Sequence, residues 1–133
     1  MPDITGEFDV TMTPETLSDT AAQSGLGRLS LNKRYHGALD ASGQGEMLSV
    51  RAAVAGSAGY VALERVEGSL DGRHGSFYLQ HGGTMTRGTP TLSVTVVPDT
   101  GTQQLQGLSG RLAIRIEGGK HYYDFTYDIS EAQ

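Results

Sequence analysis

The chain contains no cysteine among its 133 residues. That excludes disulfides, iron–sulfur clusters, thiolate zinc sites and a cysteine nucleophile. It also fits a reducing cytoplasm, the expected location. No apolar run approaches the ~18 residues of a membrane-spanning helix. The opening MPDITGEFDV lacks the basic-then-apolar layout of a secretory leader. No membrane partner is therefore expected. Positive charge is scarce and scattered: 10 Lys and Arg stand against 15 Asp and Glu, for a net charge of −5. Such a surface repels phosphate backbones, so no nucleic-acid partner is expected either. The glycines form no strand–GxGxxG–helix phosphate loop, and no serine sits in a GxSxG elbow. His36, His74, His81 and His121 lack the spacing of metal ligands. Hydrolase, kinase and dehydrogenase readings have no support, and neither a metal nor a cofactor is expected. Internal repeats, low-complexity segments and any ten-residue stretch with a helical stripe are also missing.

What the chain does have is glycine and alternation. Its 19 glycines are spread along the sequence, as turns, bulges and strand bends of an all-β protein require. Period-two patterning predicts eight strands: Ile4–Met12, Gly27–Tyr35, Glu46–Val54, Tyr60–Val66, Ser76–His81, Thr91–Val97, Leu112–Ile116 and Tyr122–Ile129. The segments DASGQG, AGSAG, LDGR, GGTMTRG, PDTGTQQLQGLSG and EGGKH read as connections. Pro14–Ala22 reads as a loop or a single helical turn. One domain, 1–133, is expected, long enough to bury about two-thirds of its unfolded surface without a covalent staple. Eight strands with apolar faces favour closure into an antiparallel β-barrel, because closure removes exposed edges. An interior of that size is either filled by side chains or holds one small ligand.

The most informative stretch is Tyr60–Gly83, which reads as a hairpin turning at Ser69-Leu70-Asp71-Gly72. Its strands carry Glu64, Arg65, Gln80 and His81 among apolar neighbours. Such groups are costly in a strand interior unless they are paired or face a solvent-filled cavity. Glu64 shares a face with Tyr60, Ala62 and Val66. If that face is interior, burial is expected to raise the carboxyl pKa and suit it to acid–base work. The opposite phase, with Val61, Leu63 and Arg65 inside, leaves Glu64 in a surface ion pair; periodicity keeps both open. His81 follows the phase of Phe77 and Leu79, and imidazole can move a proton near neutral pH. Glu64 and His81 are therefore the candidate catalytic groups, against the plainer readings of an ion pair and a satisfied core histidine. Gln80, on the other face with Tyr78, could orient a substrate oxygen or pair across strands. Glu46 could be a second carboxylate at a cavity mouth or an ordinary strand end. Tyr35, Tyr60 and Tyr123 lie on or near apolar faces and could line a pocket or fill the core.

VALERVEGSLDGRHGSFYLQHGGTM, LSVTVVPDTGTQQLQGLSGRLAI and the closing HYYDFTYDI together resemble the bacterial DUF3224 family over nearly the whole chain. The resemblance implies a β-barrel of the allene oxide cyclase-like type, a superfamily that includes the dirigent proteins. The turn with Gly101, Thr102, Leu105, Gly107, Leu108 and Gly110 resembles a glycine-rich turn of those relatives. Cyclases of that type confine a hydrophobic substrate with few polar groups and no cofactor; dirigent proteins orient a reactive intermediate; both are usually dimers or trimers. The missing cysteine departs from the plant cyclase pattern.

Three functions follow as expectations. The first is a cofactor-independent isomerase or cyclase, with Glu64 or His81 moving a proton and Tyr35, Tyr60 and Tyr123 shaping the cavity. The second is a small-ligand carrier without turnover. The third is a structural oligomeric domain whose barrel is filled, with Phe8, Leu31, Val94, Ile114 and Phe125 as its packing. The partners expected are a small hydrophobic ligand and further copies of the chain, with Met47 and Val61 as outward apolar residues at a subunit contact.

Overall fold

The computed structural model describes residues 2–130. Eight strands occur in chain order: β1 (Asp3–Pro14), β2 (Gly27–Tyr35), β3 (Leu39–Arg51), β4 (Ala58–Leu70), β5 (Arg73–Thr86), β6 (Thr89–Val96), β7 (Leu108–Glu117) and β8 (Lys120–Ile129). Each pairs antiparallel with the next, and β1 returns to β8, so the sheet closes into a barrel. The Pro14–Ala22 segment leads into a five-residue helix, α1 (Asp19–Gln23), with the Ser18 hydroxyl accepting from the Ala21 amide at 3.2 Å.

The inward phase follows the alternation read from most strands. Leu31 and Tyr35 on β2, Val94 and Val96 on β6, and Tyr123, Phe125 and Tyr127 on β8 are buried. The hairpin β4–β5 turns on Asp71-Gly72 alone, with φ of 50° and 82°. Two consecutive positive values are the geometry that a two-residue connection needs to match strand twist.

Strand β3 departs from the sequence reading in two ways. It begins at Leu39, not at Glu46, so DASGQG is strand rather than connection. Its inward residues are Leu39, Ala41, Gly43, Gly45 and Met47, while Leu48 and Val50 face out. Met47 therefore points inward, against the expectation, and Val61 does face out. Ala52 and Val54 lie beyond the strand. The apolar face read from Glu46–Val54 is an outer face, and period-two analysis cannot distinguish inside from outside when both sides carry apolar groups.

The two ends of the barrel differ. At the Asp71-Gly72 end, the connection from β6 to β7 folds back over the opening. Thr102 is tied to Ser76 through the Thr102 amide (2.9 Å to the Ser76 carbonyl) and through its hydroxyl (2.7 Å to the Ser76 hydroxyl). A short 3-10 turn, Gln103–Leu105, then drops Leu105 into the core, where it is 1 % exposed. Gly75 makes room for it: a Cβ there would lie 3.1 Å from Leu105 Cγ. The glycine-rich motif thus seats a hydrocarbon plug. Phe77, Phe125 and Tyr127 fill the space next to it, with Phe77 stacked on Phe125 at 6.0 Å. Ile114, one of the expected packing residues, is only half-buried. The opposite end, where β3 meets β4 and β5 meets β6, keeps a recess.

Candidate functional site

Pairing register lines inward residues of β2 to β6 into rows. The outermost row joins Gly27, Ser49, Tyr60, Gly83 and Leu92. The next joins Leu29, Met47, Ala62, His81 and Val94. Below that come Leu31, Gly45, Glu64, Leu79 and Val96. This order settles the phase of β4: Tyr60, Ala62, Glu64 and Val66 face the interior, and Val61, Leu63 and Arg65 face out.

Glu64 is fully buried, at 0 % exposure, and its carboxylate is saturated by three donors. Lys33 Nζ reaches Oε1 at 3.0 Å, His81 Nε2 reaches the same oxygen at 2.9 Å, and the Tyr35 hydroxyl donates to Oε2 at 2.5 Å. Lys33 is nearly as enclosed, with its ammonium 5.2 Å from the Phe8 ring centroid and 5.8 Å from that of Tyr35. Gly43 provides the space. A Cβ there would overlap Glu64 Oε2, come within 3.0 Å of its carboxyl carbon and lie 3.2 Å from Tyr35 Cε2.

The expected rise in the Glu64 pKa is reversed. Burial is the largest single influence and pushes the carboxyl up. The His81 hydrogen bond, the charge of Lys33, the Tyr35 hydroxyl and the charge of His81 together outweigh it, and the group falls below its ordinary 4.5. Glu64 is therefore an ionised anchor at neutral pH. Tyr35 is held well above its ordinary pKa, first by burial and then by the Glu64 charge, so its hydroxyl stays protonated and donating.

A depressed carboxyl pKa gives a definite pH dependence. The stabilisation is complete above the unfolded-state value near 4.5 and disappears as pH falls through the lower folded-state value. Denaturant titrations of the wild type and Glu64→Gln between about pH 3 and pH 7 should show a stability difference that is flat above about pH 5 and narrows in acid. A difference that widens in acid would contradict the depressed carboxyl.

Tyr60 is half-buried and lines the recess at the open end. Its pKa is raised, by burial first and the Glu64 charge second. The recess has a volume of about 410 Å³, and its inner wall is built from Leu29, Met47, Tyr60, Gly83, Met85 and Leu92. Leu29 and Met47 belong to the same row as His81, which is buried at 3 % exposure and is not part of the recess lining.

The other sequence candidates do not join this site. Glu46 faces out and is held by Arg28 in a two-pronged ion pair, 2.9 Å and 2.7 Å. It is not a carboxylate at the cavity mouth. Gln80 also faces out, opposite Leu63 and Thr95. Tyr123 is buried inside the barrel wall, where its hydroxyl donates to the His36 carbonyl at 2.7 Å and accepts from the Leu39 amide at 3.2 Å. That bond set ties β8 to the β2–β3 connection and leaves nothing for a ligand.

A larger groove, about 690 Å³, runs outside the sheet between α1 and the outward residues Leu48, Val61, Leu63 and Gln80. Its charged pair, Arg28 and Glu46, is self-satisfied. The Glu64 cluster lies across the sheet from it, so the recess inside the barrel is the better candidate site.

Two members of the cluster escaped sequence reasoning. Lys33 falls in the phase of Leu29, Leu31 and Tyr35, and a charge in an apolar phase was a signal of the same kind that marked Glu64. Gly43 was hidden by being read as a turn residue. Among the described residues, no three His, Asp or Glu side chains converge as a metal site requires. No described helix is long and apolar enough to cross a membrane.

A family model described as "Protein of unknown function (DUF3224)" matches residues 4–127. A crystal structure of a protein with unknown function from the same family, from Shewanella oneidensis MR-1, is similar at 51 % identity, with 99 % of each chain covered and a TM-score of 0.93. No curated protein matches the chain.

Proposed function

The chain belongs to the DUF3224 family, and from that premise we propose that it binds a small, mostly hydrophobic molecule in the open end of its barrel. The observation that carries this reading is the recess of about 410 Å³, walled by Leu29, Met47, Tyr60, Met85 and Leu92, with the buried ionic cluster further along the inward faces of β4 and β5. Concave, apolar sites with a few fixed polar groups are the usual form of small-molecule sites. Barrels of this strand number have room for one such ligand. The allene oxide cyclase-like resemblance points the same way.

Nile red, an apolar dye, tests the site. Its emission should rise saturably with protein. Leu92→Arg, which sets a charge at the rim without disturbing buried packing, should weaken binding at least about tenfold. Leu63→Arg, on the outer groove, should not. The reverse pattern would place the ligand outside the barrel and remove the proposal.

One observation favours turnover as a second reading. Glu64 holds His81 through Nε2, and a carboxylate-fixed imidazole suits proton transfer. As an isomerase or cyclase, the protein would confine an enolisable substrate while His81 takes and returns a proton. Deuterium from heavy water should then enter an enolisable ketone bound in the recess, and His81→Phe should stop it. Exchange no faster than buffer leaves a binding protein only.

Self-association completes the reading. Leu48, Val61 and Leu63 form an outward apolar strip on β3 and β4, exposed by 41 %, 59 % and 57 %. A dimer or trimer would cover it. Sedimentation should report an oligomer for the wild type and a monomer for Leu63→Lys.

A further inference from the structure

The wall of the recess is apolar, but its rim carries an unpaired charge. Arg51 follows Met47 and Ser49 in the inward phase of β3. It lies beyond the last row that β2 to β6 all share, in register with Ala58, Met85 and Pro90. Among the described residues it is the one charged side chain that lines the recess. Arg28, Arg34, Arg65 and Arg115 each hold a carboxylate, whereas Arg51 makes no hydrogen bond or ion pair with any described residue. Glu15, which shares a neighbouring hollow with Arg51, accepts instead from the Ser30 hydroxyl at 2.8 Å.

Tyr60 stands beside this cation. Arg51 pairs with Ala58, so Tyr60 is its diagonal neighbour on the same inward face. Diagonal neighbours lie about 7–8 Å apart, within reach of long and aromatic side chains. The Tyr60 ring lies across Gly83, since a Cβ there would sit 3.0 Å from Tyr60 Cδ1. Its hydroxyl bonds to no described residue, and its raised pKa keeps it protonated, so it can donate. The mouth therefore offers a guanidinium and a phenol, with no acidic side chain, above a wall of Leu29, Met47, Met85 and Leu92.

Resting on the binding reading above, we propose that the recess takes a monocarboxylate with an apolar body: the body fills the recess, and the carboxylate stays at the mouth, bound by Arg51 and Tyr60. A guanidinium fork matches the two oxygens of a carboxylate, and one cation balances one negative charge. Arg51 is exposed, so the head group keeps its contact with water and no unpaired charge is buried. An alcohol gains no charge-assisted bond there, and an ammonium is repelled.

Octanoate, octanol and octylammonium test this, since all three carry the same chain. At neutral pH and low salt, calorimetry should show octanoate binding about tenfold more tightly than octanol, the increment of one charge-assisted hydrogen bond. Octylammonium should bind more weakly than octanol. Arg51→Gln should bring octanoate down to the affinity of octanol and leave octanol unchanged. Arg51 is exposed at the end of β3, so the substitution leaves the core untouched. Arg87→Gln, in the β5–β6 turn and outside the recess lining, should change neither, which separates a local grip from the general field of the surface. Equal affinity for octanoate and octanol in the wild type would overturn the carboxylate proposal and leave the recess reading intact. A preference that survives Arg51→Gln would overturn it as well. Binding by none of the three would overturn it too, and Nile red emission that also failed to rise would end both.

Discussion

Glu64→Ala should lower unfolding free energy by about 3–5 kcal/mol, the usual cost of leaving one member of a buried ion pair alone. Three donors lose their acceptor together: Lys33, His81 and Tyr35. Lys33 is the decisive one, because its side chain is only 6 % exposed and its ammonium otherwise meets the faces of Phe8 and Tyr35. Guanidinium melts check the value. The partner experiment separates stability from function. Lys33→Met combined with Glu64→Leu replaces the pair with hydrocarbon, and should return most of the lost stability, since buried ion pairs often break even against apolar replacements. The same double variant frees His81 from its anchor and should slow any His81-dependent deuterium exchange. A double variant as unstable as Glu64→Ala would show that the pair is kept for folding.

Gly43→Ala should cost about 1–3 kcal/mol, although it adds a single methyl group. The added carbon falls on Glu64 Oε2 and presses on Tyr35. A free glutamate would swing aside, but this one is pinned by three hydrogen bonds, so relief requires breaking the Tyr35 contact or displacing β3. The penalty should vanish in a Glu64→Ala background, where the methyl group fills space instead of contesting it. A double-mutant cycle measures that coupling. Additive effects would mean that Gly43 answers to backbone needs and not to the carboxylate.

The same glycine explains what was hard to read in the chain. In the sequence, Gly43 and Gly45 stand within DASGQG, a run that resembles a turn. In the barrel they are strand residues placed opposite Val66 and Glu64, empty because Glu64 and the β4 backbone occupy their side-chain space. A strand glycine that marks close approach looks, one-dimensionally, like a glycine that marks a turn. Likewise Glu46 and Glu64 each sit in strands with apolar neighbours, yet one is a surface ion pair and the other is sealed.

The period-two pattern, the Asp71-Gly72 turn and the scatter of glycine determined an all-β chain that closes on itself, because alternation and turn chemistry act between near neighbours and survive in one dimension. The inward phase of β3 and β4, the meeting of Lys33, Tyr35, Glu64 and His81, and the lowered carboxyl pKa were decided only by the closed barrel. Those features depend on register and strand tilt, which bring residues from β2, β4 and β5 to one point and replace the water that each polar group would otherwise keep.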